Sequence, residues 1–238
     1  MRETVRRLGA AQKGATGAPA YSRFVNRKLG RLLAALAFHA RLTPNAVTGI
    51  SAAFTTTAIV LLAVVESSWA LGIAVSACLA VGYAFDAADG QLARLRGGGS
   101  PAGEWLDHMV DAAKTSSLHL AVLIAAYRFE IVDHAGWLLV PLGYAVVAAV
   151  LFFGTMLNEA LRERHGAPTR AARTAERPSV LRSLVVAPTD YGVLCWVFVL
   201  LGAPTVFFSA YAFLFAATAG YLLLACAKWF HEIGRLPR

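Results

Sequence analysis

Asp86-Ala-Ala-Asp89-Gly90-Gln-Leu-Ala93-Arg94, followed after eight residues by Gly103-Glu-Trp-Leu-Asp107-His-Met-Val-Asp111, is a polar island in an apolar chain. Asp86 and Asp89 are spaced i,i+3, and Gly103, Asp107 and Asp111 are spaced i,i+4,i+8, so each set lies along one face of a helix. Between them runs Arg-Gly-Gly-Gly-Ser-Pro (96–101), which an α-helix does not tolerate. The spacing predicts two helices joined by a short glycine turn, with their acidic faces turned toward each other. Four carboxylates brought together in a poorly solvated place repel strongly unless cations neutralise them. Donors that are all oxygen select hard divalent ions, magnesium or manganese.

The rest of the chain places this island at a membrane. Of 238 residues, 58% are hydrophobic and 15% charged, and the mean hydropathy is +0.57. Soluble domains are about half apolar and a quarter charged. Cys78, Cys195 and Cys226 sit in apolar stretches without metal-like or paired spacing and read as core or lipid-facing residues. Residues 1–17 are basic, rich in small side chains and lack an apolar core, which favours a flexible tail over a cleaved signal peptide.

The net charge of +8 is distributed unevenly. Nine of the 22 basic residues precede residue 45, two flank the glycine turn, six lie between Arg162 and Arg182, and three follow residue 227. Lys114 and Arg128 are the remainder. Placed on one side of a bilayer, these clusters make that side cytoplasmic by the positive-inside rule. That account of the charge leaves no reason to invoke nucleic acid.

Residues 18–41 read as a juxtamembrane amphipathic helix. Arg23, Arg27 and Arg31 form a basic stripe, and Tyr21, Val25, Leu29, Leu32, Leu33 and Leu36 form the apolar face. The stripe is an anionic-lipid anchor in the simpler reading; in the sharper one Arg27 or Arg31 contacts phosphate. Leu42-Thr43-Pro44-Asn45 then breaks the chain and starts a new helix, with Thr43 or Asn45 as its cap. Apolar segments follow at 45–66, 68–92, 104–128, 135–160, 190–206 and 208–230, each near the roughly 20 residues that a bilayer demands. The expected fold is an all-α integral membrane protein with six transmembrane helices over 42–232 and a cytoplasmic tail at 233–238. Six crossings put both termini and the acidic island on the cytoplasmic side of the cell membrane. The arginine-rich segment from Arg162 to Pro188 is a solvated inner loop, from which Arg177 and Arg182 are the nearest candidates to bind an anionic substrate.

A carboxylate inside a membrane span is expensive and reads as functional. Gly90 is i+4 from Asp86 and Ala93 is i+4 from Asp89, so a strip poor in side chains runs beside the acids. Metal ions next to such a strip suit a substrate that carries a diphosphate, and one carboxylate not consumed by metal is a general base for a hydroxyl. The pattern Asp86-x2-Asp89-Gly90-x2-Ala93-Arg94-x8-Gly103-x3-Asp107-x3-Asp111 resembles the signature of the CDP-alcohol phosphatidyltransferase family at every fixed position. Leu42-Thr43-Pro44-Asn45-x2-Thr48 also resembles that family's entry to its first span.

The resemblance implies a transfer reaction of phospholipid biosynthesis. A CDP-linked alcohol, usually CDP-diacylglycerol, gives its phosphoalcohol to a hydroxyl acceptor and CMP leaves. It implies two divalent cations, Mg2+ or Mn2+, held by Asp86, Asp89, Asp107 and Asp111, with Asp111 also the base. Gly90 and Ala93 make room for the nucleotide, Arg94 contacts it, and Asn45 and Thr48 line its pocket. Candidates to bind an acceptor or its phosphate are Lys114, Arg177, Arg182 and Arg31, and their charge favours inositol phosphate or glycerol phosphate over serine. Dimers are common in the family, so a homodimer is part of the expectation. One departure is visible: Asp111 is followed by Ala112-Ala113-Lys114, where related sequences often carry a basic residue directly after the last aspartate. Lys114 at i+3 faces the site, to hold phosphate or to balance charge.

Two other readings stay open. A magnesium-dependent membrane prenyltransferase also binds a diphosphate through aspartates, but it needs a second Asp-rich motif, and none follows residue 111. A cation transporter needs polar groups continuing across the membrane, and the outer halves of the second and third spans are nearly featureless. His108 and His119 read as packing or hydrogen-bonding residues, Glu104 as favourable to its helix N-terminus, and Tyr83, Trp105 and Trp229 as interfacial anchors.

Overall fold

The computed structural model describes residues 19–168 and 186–237, together with Thr4, Arg6 and Leu8. All regular structure among them is helical. A π-helical turn, Ser22–Asn26, leads into α1 (Arg27–His39). There follow α2 (Pro44–Val64), α3 (Trp69–Leu95) and α4 (Pro101–Arg128). A 3-10 turn, Ala135–Leu138, opens α5 (Leu139–Arg164). Then come α6 (Tyr191–Val197), which continues as a 3-10 segment, Phe198–Gly202, and α7 (Pro204–Ile233).

Local chemistry sets these boundaries. Thr43 caps α2, its hydroxyl accepting from the Ala46 amide at 3.2 Å, and Pro44 fills the first turn, where its missing N–H is no loss. Ser68 caps α3 and Ser100 caps α4 in the same way, each at 3.1 Å. Between α3 and α4 the backbone turns through Gly97 and Gly98 at φ +95° and +131°, which side chains with a Cβ rarely adopt.

Among the described residues, five helices are long and apolar enough to cross a membrane: Pro44–Val64, Trp69–Leu95, Pro101–Arg128, Ala135–Arg164 and Pro204–Ile233. Within the expected crossing at 190–206 the apolar helix is shorter, Tyr191–Gly202. Pro204 begins the next helix four residues earlier than hydropathy suggests, and the 3-10 winding of Phe198–Gly202 ends this one. Leu194, Cys195, Phe198 and Leu201 are buried in the main core with Tyr211 of α7 and Leu79 of α3.

Small residues let α2 and α3 approach closely. A Cβ on Gly82 would stand 2.5 Å from Thr55 Oγ1 and 3.2 Å from the Ser51 carbonyl, and Ser51 donates to the Gly82 carbonyl at 2.9 Å. On α1 the small face (Gly30, Ala34, Ala37) is buried, packed near Ala88 and Leu92 of α3, while Leu29, Leu32 and Leu36 on the other face are exposed. Leu8, from the expected flexible tail, packs into the same cluster. Tyr83 is not an interfacial anchor: its ring stacks on Tyr21 and meets Tyr191 edge-on at 5.1 Å. His119 is a hydrogen-bonding core residue, stacked on Tyr144 and 2.7 Å from the Tyr211 hydroxyl.

Candidate active site

The acids come from the end of α3 and the start of α4, which the glycine turn folds back on each other. Asp89 is the most enclosed, at 5% exposure. Thr48 of α2 donates to its Oδ2 at 2.7 Å, and the Gly90 amide donates to its Oδ1. One carboxylate oxygen from each of Asp86, Asp89 and Asp107 lies within 4.8 Å of the others. Ligands on opposite sides of a hard divalent ion stand about 4 to 5 Å apart, so these three oxygens fit one such ion. A second group at the same separation comprises Asp107, His108 and Asp111. Asp107 belongs to both groups, which suits two neighbouring ions.

Two cavities meet at Asp89 and Asp107, Asp86 borders the smaller one, and Asp111 lines neither. The larger, of about 850 Å³, lies toward the glycine turn and the end of α5. Asn45, Thr48, Gly90, Ala93 and Arg94, all expected to face the nucleotide, line it. A Cβ on Gly90 would meet only Arg94 Nη1, at 3.4 Å, so that strip is open. Gly103 serves packing instead, since a Cβ there would press on Asn45 Oδ1 at 2.9 Å. The smaller cavity, of about 260 Å³, lies between α1 and α3 and is walled by Asn26, Arg27, Tyr83, Asp86 and Gln91. Asp89, Gly90, Arg94 and Asp107 border both.

The wall of the smaller cavity is fastened by polar contacts. Asn26 donates to the Tyr83 carbonyl at 3.0 Å, and Gln91 to the Arg27 carbonyl at 3.2 Å. Burial lowers the pKa of the Arg27 guanidinium. Asp190 accepts from the Ser22 amide at 3.1 Å and the Gly192 amide at 3.0 Å, tying the entry of α1 to the start of α6. Burial raises the Asp190 carboxyl pKa, opposed by its backbone N–H partners.

Lys114 turns toward the acids and forms ion pairs with Asp86 at 2.7 Å and Asp111 at 2.5 Å. Arg31, one turn beyond Arg27, lines neither cavity. Arg177 and Arg182 lie outside the described residues. Sequence reasoning missed four contributors. His108 was set aside because adjacent helix positions do not share a face, yet its ring reaches the Asp107–Asp111 group and the larger cavity. Glu159 and Glu163 of α5 complete that cavity; only tertiary packing brings them there. Gln91 was the readable signal, an uncharged polar residue inside the motif.

A family profile described as CDP-alcohol phosphatidyltransferase matches residues 41–229. Among solved structures, the phosphatidylinositol phosphate synthase of Mycobacterium tuberculosis with CDP-DAG bound superposes with a TM-score of 0.54 at 20% identity, over 90% of this chain and 95% of that one. The same enzyme in complex with manganese and citrate gives 0.53 at 20% identity, over 86% and 88%. These likenesses establish a shared fold. No curated protein sequence matches the chain.

Proposed function

The chain belongs to the CDP-alcohol phosphatidyltransferase family, and from that premise we propose that it moves a phosphatidyl group from CDP-diacylglycerol to a small hydroxyl acceptor and releases CMP. The observation that carries this reading is the seating of Asp86, Asp89 and Asp107 beside two adjoining cavities, the larger lined by every residue expected to face the nucleotide. The similar fold of an enzyme that binds CDP-DAG supports the choice of donor.

In this reading Asp86, Asp89 and Asp107 hold one divalent ion, and Asp107 and Asp111 hold the second. Bound there, the ions supply positive charge to the diphosphate and to the departing CMP. Thr48 fixes the Asp89 carboxylate through its hydroxyl. Gly90 and Ala93 leave the backbone bare where the nucleotide lies, and Arg94 offers charge to its phosphate. Asp111 takes the proton from the acceptor hydroxyl. That oxygen bonds to the phosphorus attached to diacylglycerol, the diphosphate bridge breaks, and CMP leaves with the bonding pair. The acceptor enters from the side of the smaller cavity, where Arg27 favours an anionic group, so a phosphorylated polyol such as inositol phosphate or glycerol phosphate is preferred.

The helix Tyr191–Gly202 is the sixth crossing in this account. With six, both termini and the site face the cytoplasm, and the exposed leucines of α1 rest in the inner leaflet as a juxtamembrane anchor. A prenyltransferase would need a second, separate acidic motif. Among the described residues the two acid groups share Asp107.

The test is CMP release by the purified protein from CDP-diacylglycerol, with Mg2+ or Mn2+, across inositol phosphate, glycerol phosphate, inositol and serine. We expect release that needs both a divalent ion and a phosphorylated polyol. Failure with every acceptor, or release indifferent to chelation, overturns the reading.

A further inference from the structure

Lys114 stands where neither cavity requires a lysine. It lies on α4, three residues past Asp111, with its side chain 11% exposed. Its Nζ is 2.7 Å from Asp86 Oδ1 on α3 and 2.5 Å from Asp111 Oδ1 on its own helix. It lines neither cavity. A lysine that received a substrate phosphate would present its ammonium to open space; this one donates to Asp86 on α3 and is ion-paired with Asp111 on α4.

We propose that Lys114 is a positioning residue, a tethered cation that joins Asp86 to Asp111 across the gap between α3 and α4 and holds the acidic site assembled before any metal ion arrives. Four clustered aspartates repel one another, and α3 and α4, though both packed on α2, make little direct contact to hold their acidic faces together. The ammonium neutralises one of the four charges and links the two faces across that gap. The inference rests on the proposed reaction only for the role of Asp111 as base; the bridge itself is independent of the reaction.

A cation that shares carboxylates with metal ions makes a prediction that a phosphate contact does not. Lys114→Met keeps the chain length and removes the charge. Its metal-free form should melt several degrees below wild type, and saturating Mn2+ should recover more of that loss than the same Mn2+ adds to wild type. Its Mn2+ affinity, followed by electron paramagnetic resonance, should tighten by about tenfold, the effect of removing a unit charge roughly 5 Å from a divalent ion even in bulk water. CMP release should slow with little change in KM for the donor or the acceptor, and Lys114→Arg should restore melting and Mn2+ affinity toward wild type. Wild-type melting and Mn2+ affinity with a raised KM for either substrate would make Lys114 a phosphate contact and overturn the bridge.

If Lys114→Met does not fold, Lys114→Gln combined with Asp86→Asn removes both charges of one pair. Melting restored toward wild type supports the bridge, and melting no better than that of either single variant contradicts it. A wild-type protein that releases no CMP with any acceptor removes the proposed reaction but leaves the melting and Mn2+ comparisons to decide the lysine.

Discussion

Asp107 is the carboxylate common to both acid groups, and Asp111 shares Lys114 with Asp86, so substitutions at these neighbours should separate binding from turnover. Asp111→Asn should still bind the CDP-linked donor, within a few-fold of wild type by calorimetry, while CMP release falls by about a hundredfold or more, the scale of a lost general base. Normal turnover in that variant would remove Asp111 from the chemistry. Thr48→Val strips the hydroxyl from Asp89 and leaves a buried carboxylate short of a donor. It should destabilise by about 1–3 kcal/mol, visible as a lower melting temperature and weaker Mn2+ binding; unchanged values would show that Thr48 does not hold Asp89. Gly90→Leu fills the open strip and should raise the apparent KM for the donor. Much of this scale was legible in the sequence, because the spacing of Asp86, Asp89, Asp107 and Asp111 follows helical geometry that two connected helices must share. His108 was not legible, since helical phase alone does not tell how far a side chain bends back toward its neighbour.

At the scale of elements, the contact of α1 with α3 walls the smaller cavity. A Cβ on Gly30 would meet the Ala87 Cβ at 2.8 Å and Gln91 Nε2 at 3.0 Å. Gly30→Val should therefore push α1 off α3 and cost about 1–3 kcal/mol by overpacking. The readout is a lower melting temperature together with slower CMP release, and wild-type melting would show that the contact gives way without strain. The sequence foretold a helix at α1, the start of α2 from the Thr43-Pro44-Asn45 break, and α3 and α4 from apolar length and the glycine turn between them. It did not foretell that Tyr191–Gly202 would be so short. Hydropathy averages over a window and does not see where a helix tightens to 3-10 winding before Pro204. Nor could periodicity pair His119 with Tyr211, which are 92 residues apart in the chain.

Across the whole molecule, the account requires the glycine turn and the α4–α5 connection to face opposite sides of the membrane. Single cysteines at Gly98 and Asp133, in a chain whose Cys78, Cys195 and Cys226 are replaced by alanine, test this with a membrane-impermeant maleimide on intact cells. Only the cysteine at 133 should react; labelling at 98 would reverse the orientation and put the site outside. The reaction itself is decided by the fate of one phosphorus atom. The protein is given CDP-diacylglycerol labelled with 32P in the phosphate attached to diacylglycerol, together with a divalent ion and a phosphorylated polyol. The label should pass into the new lipid while the released CMP stays unlabelled, whereas label in the nucleotide or in free phosphate would contradict the account.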